Sequence, residues 1–124
     1  MTSISINQFT NNLQEFLNIS DRVQILLQEL KSQLQALYGD RLFSVLLYGS
    51  VARGEPTVDS DIDVLVVLKE RVSPVQEMRR MADIRLHFLL EFGELVSIMP
   101  MSWEAFSDRS DSFANTLRRE GITL

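Results

Sequence analysis

The stretch Val64-Leu65-Val66-Val67-Leu68 is apolar at every position. Successive side chains of a strand point to opposite faces, so a run without polar alternation has to be covered on both sides. Leu42 to Tyr48 is a second short apolar run typical of a buried strand, and Leu95–Met101, bounded by Gly93, reads as a third. Between and around them the period changes. From Asp21 to Tyr38, Val23, Leu26, Leu27, Leu30, Leu34 and Leu37 recur at three- and four-residue spacing, with Gly39 placed to stop the helix. Ser73-Pro74-Val75-Gln76 reads as a cap with proline in the first turn. The helix it opens is expected to reach Phe92 and to bury Met78, Met81, Ala82, Leu86 and Leu89. Ser102 caps a short helix containing Trp103 and Phe106, and Asp111–Arg119 forms a last helix ended by Gly121. Residues 4–18 are moderately amphipathic, with Phe9, Leu13, Phe16 and Leu17 on a ragged apolar face. Helices alternating with three core strands indicate an α/β (α+β) domain.

Two carboxylates stand at the mouth of the most apolar segment. Asp61 and Asp63 are separated by Ile62 alone, so on a strand they share a face. Desolvated carboxylates this close repel, and each would prefer a proton. A divalent cation removes the conflict, and hard oxygen ligands suit Mg²⁺, which takes its remaining ligands from water and from a substrate's phosphates. Gly49-Ser50, where the first strand ends, supplies the other half: a glycine there lets backbone N–H groups approach an anion, and the Ser50 hydroxyl can donate as well. Arg53 lies in the same loop and can add positive charge near phosphates.

Composition narrows the partners. At 124 residues, with 45% hydrophobic and 23% charged residues, the chain reads as one ordinary globular domain. A net charge of −5 argues against a general nucleic-acid backbone binder, and no direct nucleic-acid binding is expected. No apolar run approaches the roughly 20 residues of a membrane span. MTSISINQFTNN has no basic region followed by an apolar stretch, and the absence of cysteine fits a reducing cytoplasm.

Gly49-Ser50, ten further residues, then Asp61-Ile62-Asp63 resembles the signature of the polymerase-beta-like nucleotidyltransferase superfamily. The likeness extends through Leu46-Leu47-Tyr48 and Asp59 to Val66, and the size resembles the minimal nucleotidyltransferases. The resemblance implies a small mixed sheet flanked by helices, with N-terminal helices over 1–38, a catalytic sheet core over 42–101 and C-terminal helices over 102–124. It implies that Gly49 and Ser50, with Arg53 nearby, hold the triphosphate of ATP, and that Asp61 and Asp63 are the catalytic, Mg²⁺-binding pair. Such families commonly carry a third carboxylate on the neighbouring strand. The expected position here is Ser97, and Glu94, the acid nearest to it, falls on the opposite face unless a bulge brings it round as a metal ligand. The resemblance further implies an antitoxin that transfers AMP from ATP to a tyrosine hydroxyl of a cognate HEPN RNase toxin. The alternative is a binding-only antitoxin that blocks the toxin by forming a complex with it.

Overall fold

The computed structural model describes residues 14–57 and 59–124. The expected amphipathic face of residues 4–13 lies outside them. Helix α1, Asp21–Tyr38, is opened by Ser20, whose side chain accepts from the Val23 N–H, and closed at Gly39, whose φ of +54° suits glycine. It buries Leu26, Leu27, Leu30, Leu34 and Tyr38. Leu37 is exposed instead, because the face toward the sheet ends on Tyr38. A 3₁₀ turn, Gly39–Arg41, leads into strand β1, Leu42–Tyr48.

The sheet has four strands in the order β3-β2-β1-β4. Strand β2, Ile62–Leu68, pairs antiparallel with β1 and parallel with β3, Val96–Ser102. The fourth strand, β4, is only Ile122–Thr123 and pairs antiparallel with β1. It falls where the sequence predicts only helix and terminus. Proline is tolerated at sheet edges, and Pro100 indeed lies on the edge strand β3.

Both faces of β2 are covered, as its unbroken apolar run requires. On one face Val64, Val66 and Leu68 join Val45 and Leu47 against the α1 leucines, Met81 and Phe88. On the other, Leu65 and Val67 join Leu46 against Phe106 and Leu117. Phe106 belongs to the short helix Trp103–Phe106, capped by the Ser102 hydroxyl oxygen, which accepts from the Ala105 N–H at 3.1 Å. Leu117 belongs to Ser112–Glu120, capped by Asp111.

The segment expected as one helix from Pro74 to Phe92 is divided at Met81 into Pro74–Arg80 and Ala82–Phe92. Hydrogen bonds from Met81 N to Glu77 O and from Arg85 N to Met81 O nonetheless keep the helical repeat across the division. Its inward face is Glu77, Met81 and Phe88, with Ile84 and Phe92 packed beside them. Of the five residues expected to be buried, only Met81 is; Met78, Ala82, Leu86 and Leu89 face outward. The rod carries two apolar faces, and the one bearing Phe88 meets the sheet. His87 Nε2 lies 2.8 Å from Glu29 Oε1 and ties the rod to α1. Glu77, nearly fully buried, is held by Arg80 at 2.6 Å and Arg41 at 3.6 Å.

Candidate active site

Helix α2, Gly49–Ala52, is a single turn that begins directly after β1. Tyr48 precedes it in extended conformation and supplies no side-chain cap, so the leading N–H groups of the turn have no acceptor there. In the β1–β2 register Tyr48 lies opposite Asp63. Gly49 has φ +78°, and a Cβ at this position would lie 2.3 Å from Asp63 Oδ2. Only glycine lets the backbone rest against the carboxylate in this way. The sequence signature is thus a contact: the Gly49 backbone and the Asp63 side chain pack on each other across the hairpin.

Asp61 is exposed, immediately before β2, and Asp63 is half-buried within the strand. A local turn delivers Asp61, in which Ser60 N donates to Thr57 O at 3.0 Å and Thr57 N to Ser60 Oγ at 2.8 Å. Burial, then the charge of Asp61, pushes the Asp63 carboxyl above the ordinary carboxylate range, and Arg53 opposes the shift. Burial, then the charge of Asp63, raises the Tyr48 hydroxyl as well. In the sequence Tyr48 stood only as the residue before the Gly49-Ser50 signature; its place beside Asp63 comes from the β1–β2 pairing. Arg53 is half-exposed and lies 3.9 Å from Glu55.

On the far side of Asp63 the β3 partner is Ser97, the position where a third carboxylate was expected. Glu94 is not brought to the pair. Its carboxylate takes Arg22 of α1 at 2.9 Å, and Arg22 also donates to the Phe92 carbonyl, on the opposite side of the sheet from Asp63. Among the described residues no three His, Cys, Asp or Glu side chains gather closely enough to share a metal ion. A carboxylate pair in which the charge of Asp61 helps push up Asp63 still fits Mg²⁺, which is commonly held by one or two protein carboxylates and completed by phosphate and water. A cleft of about 630 Å³ opens behind α2, lined by Ile19, Val23, Val51, Ala52 and Arg53 among others, but neither Asp61 nor Asp63 lines it. Of the two carboxylates, Asp61 is the exposed one.

Comparison with known proteins agrees with this geometry. The family described as "Nucleotidyltransferase domain" matches residues 27–106, from within α1 through the short helix after β3. The chain belongs to the nucleotidyltransferase domain family. Three Methanocaldococcus jannaschii proteins are similar to it, each named "Putative protein adenylyltransferase". MJ0604 is 30% identical over 79% of this chain and 93% of its own length. MJ0141 is 32% identical over 58% of this chain and 72% of its own, and MJ1305 is 32% identical over 61% and 51%. Among solved structures, a Sulfolobus solfataricus protein described as "a putative nucleotidyltransferase" superimposes with a TM-score of 0.51 at 17% identity, covering 90% of this chain and 84% of its own. A toxin–antitoxin complex with AMP-PNP gives 0.51 at 16% identity over 77% and 69%. A mutant of the MntA-HpeT toxin–antitoxin pair gives 0.51 at 14% over 84% and 72%. At these identities the structural likeness shows the fold, a mixed four-stranded sheet flanked by helices.

Proposed function

We propose that the chain is a Mg²⁺-dependent protein adenylyltransferase of a toxin–antitoxin pair. It moves AMP from ATP to a tyrosine hydroxyl of a cognate HEPN RNase toxin and so neutralises it. The observation that carries this reading is the packing of the Gly49 backbone on Asp63, with Asp61 one strand repeat away. That contact puts anion-binding N–H groups beside a carboxylate pair, which is the juxtaposition that phosphoryl chemistry needs. The names of the relatives support a protein acceptor, and the AMP-PNP complex supports an adenine nucleotide. The exposure of Asp61 favours an acceptor presented by a macromolecule.

In this reading the N–H groups at Gly49 and Ser50 and the Ser50 hydroxyl donate to phosphate oxygens. Arg53 adds charge from the same loop. Asp61 and Asp63 would hold Mg²⁺, which when bound supplies polarisation of the phosphate under attack and neutralises charge on the leaving pyrophosphate. Ser97 is no base at neutral pH, so the proton of the acceptor hydroxyl passes to water or to a group the partner brings. In this reading residues 42–101 form the catalytic core, flanked by α1 and by the two short helices and β4 that follow β3. A cytoplasmic setting suits ATP as donor, and no helix among the described residues is long and apolar enough to cross a membrane.

Ser97 beside Asp63 also favours a second reading, an antitoxin that acts by binding alone. Incubation with Mg²⁺, ATP and the partner, followed by the partner's intact mass, separates them. A gain of one or more AMP units, absent with Asp61→Asn, supports transfer. An unchanged mass with a stable, neutralised complex would replace transfer with binding.

A further inference from the structure

The rod from Pro74 to Phe92 carries an apolar stripe that nothing in the described chain covers. Val75 is 62% exposed, Met78 37%, Leu86 52%, Leu89 43% and Leu90 72%, and Ala82 lies exposed among them. The spacing 75, 78, 82, 86, 89 is one helix face, and the hydrogen bonds through Met81 keep that face in line across both segments. The stripe points away from the inward face of Glu77, Met81 and Phe88. Together these side chains expose roughly 500 Å² of apolar surface, within the range of the largest patch on a typical monomer, which is often a functional one.

We propose that the stripe is the interface of a twofold homodimer, with the rods of two copies crossing antiparallel at Ala82. Three features of the face are self-complementary. Ala82 is its smallest residue and sits mid-stripe, where two backbones must approach most closely. Antiparallel pairing about Ala82 sets Met78 against Leu86 of the second copy and Val75 against Leu89, so each large side chain meets another. Arg79 and Asp83 follow one another by one turn along the flank of the stripe, and neither has an ion-pair partner among the described residues. The same twofold brings Arg79 of one copy within about 3 Å, measured along the axis, of the level of Asp83 of the other. Two reciprocal ion pairs result, as an isologous interface requires. A foreign partner would have no reason to match this order of charges, whereas a second copy matches it automatically.

The full chain is expected to pass from monomer to dimer in light scattering and sedimentation between roughly 5 and 200 µM. Leu86→Glu should raise the dissociation constant about thirtyfold or more while the helical circular dichroism is unchanged. Arg79→Asp and Asp83→Arg should each weaken the dimer, and the double exchange should restore it, which separates this register from unspecific apolar association. A chain that stays monomeric across the range overturns the proposal, as does a dimer indifferent to Leu86→Glu. Failure of the double exchange to rescue overturns the antiparallel crossing. A monomer whose Leu86→Glu variant loses only its toxin complex assigns the stripe to a foreign protein and also overturns the proposal.

Discussion

A methyl group placed on Gly49 would have to displace the carboxylate of Asp63. Gly54 has a similar φ, +73°, but no atom within 4 Å of the position a Cβ would take. The pair separates backbone strain from blockage of the site. Gly54→Ala is expected to cost about 1 kcal/mol and to leave transfer intact. Gly49→Ala should cost a similar amount in urea unfolding and lower transfer about a hundredfold, because the carboxylate is displaced. Asp63 gives a prediction with a definite sign. Its folded-state pKa is raised, first by burial and then by Asp61, so the folded protein holds this proton more tightly than the unfolded chain. Stability from this group is therefore complete below the ordinary carboxylate pKa and lost as pH rises through the higher folded value. Without metal, Asp63→Asn should be more stable than the parent at neutral pH, and the advantage should vanish in acid. A denaturant series over pH in EDTA checks it, and an advantage that grows in acid would refute the assignment. Both aspartates were legible in the sequence because acids are conspicuous at the mouth of an apolar strand. Ser97 was reached by counting along its strand, whereas Tyr48 depended on a register that no local pattern encodes.

At the scale of elements, the three main strands and α1 could be read from periodicity, since their apolar spacing has one interpretation. The rod after β2 could not be read so far. Its sequence supports two apolar faces, and the choice between them is made by shape: Phe88 fills the space above the sheet, and Glu77 is drawn inward by Arg41 and Arg80. Two residues of β4 carry no period at all, so that strand exists only by pairing with β1. Glu77 also shows how one buried charge depends on its neighbours. Arg80→Ala would leave the carboxylate with Arg41 at 3.6 Å as its remaining cation and should cost about 1–3 kcal/mol. Glu77→Leu removes the buried charge, and both arginines can turn to water, so it should cost less. Urea midpoints of the two variants decide the order.

Over the whole molecule, helices on both faces of a mixed sheet leave one end of β2 open, where α2 and the aspartates meet. Alternation of helix and strand made this layering legible from sequence. Counting along the strand also set Glu94 on the face away from Asp63, but its partner Arg22 could not be read, since it comes from a helix distant in the chain. Because the proposed ligand binds only the folded state, a non-hydrolysable ATP analogue with Mg²⁺ at a hundred times its Kd should add about 2.7 kcal/mol. For a domain of this size that is a rise of about 10 °C in Tm. The Asp61→Asn, Asp63→Asn double variant should show no rise, and an equal rise in both would place the nucleotide elsewhere.

Strand β4 has a practical consequence. Among the described residues, 122–124 are all that pairs with the outer side of β1: Leu46 and Leu47 face Thr123 and Ile122, Leu124 N donates to Val45 O, and Lys31 Nζ donates to Leu124 O at 2.7 Å. A substitution that pulls Ile122 away from β1, such as Ile122→Asp, would bare a ribbon of unpaired amides beside an apolar core. Such a ribbon recruits strands from other molecules. Variants that loosen residues 122–124 from β1 are therefore the ones expected to precipitate on storage.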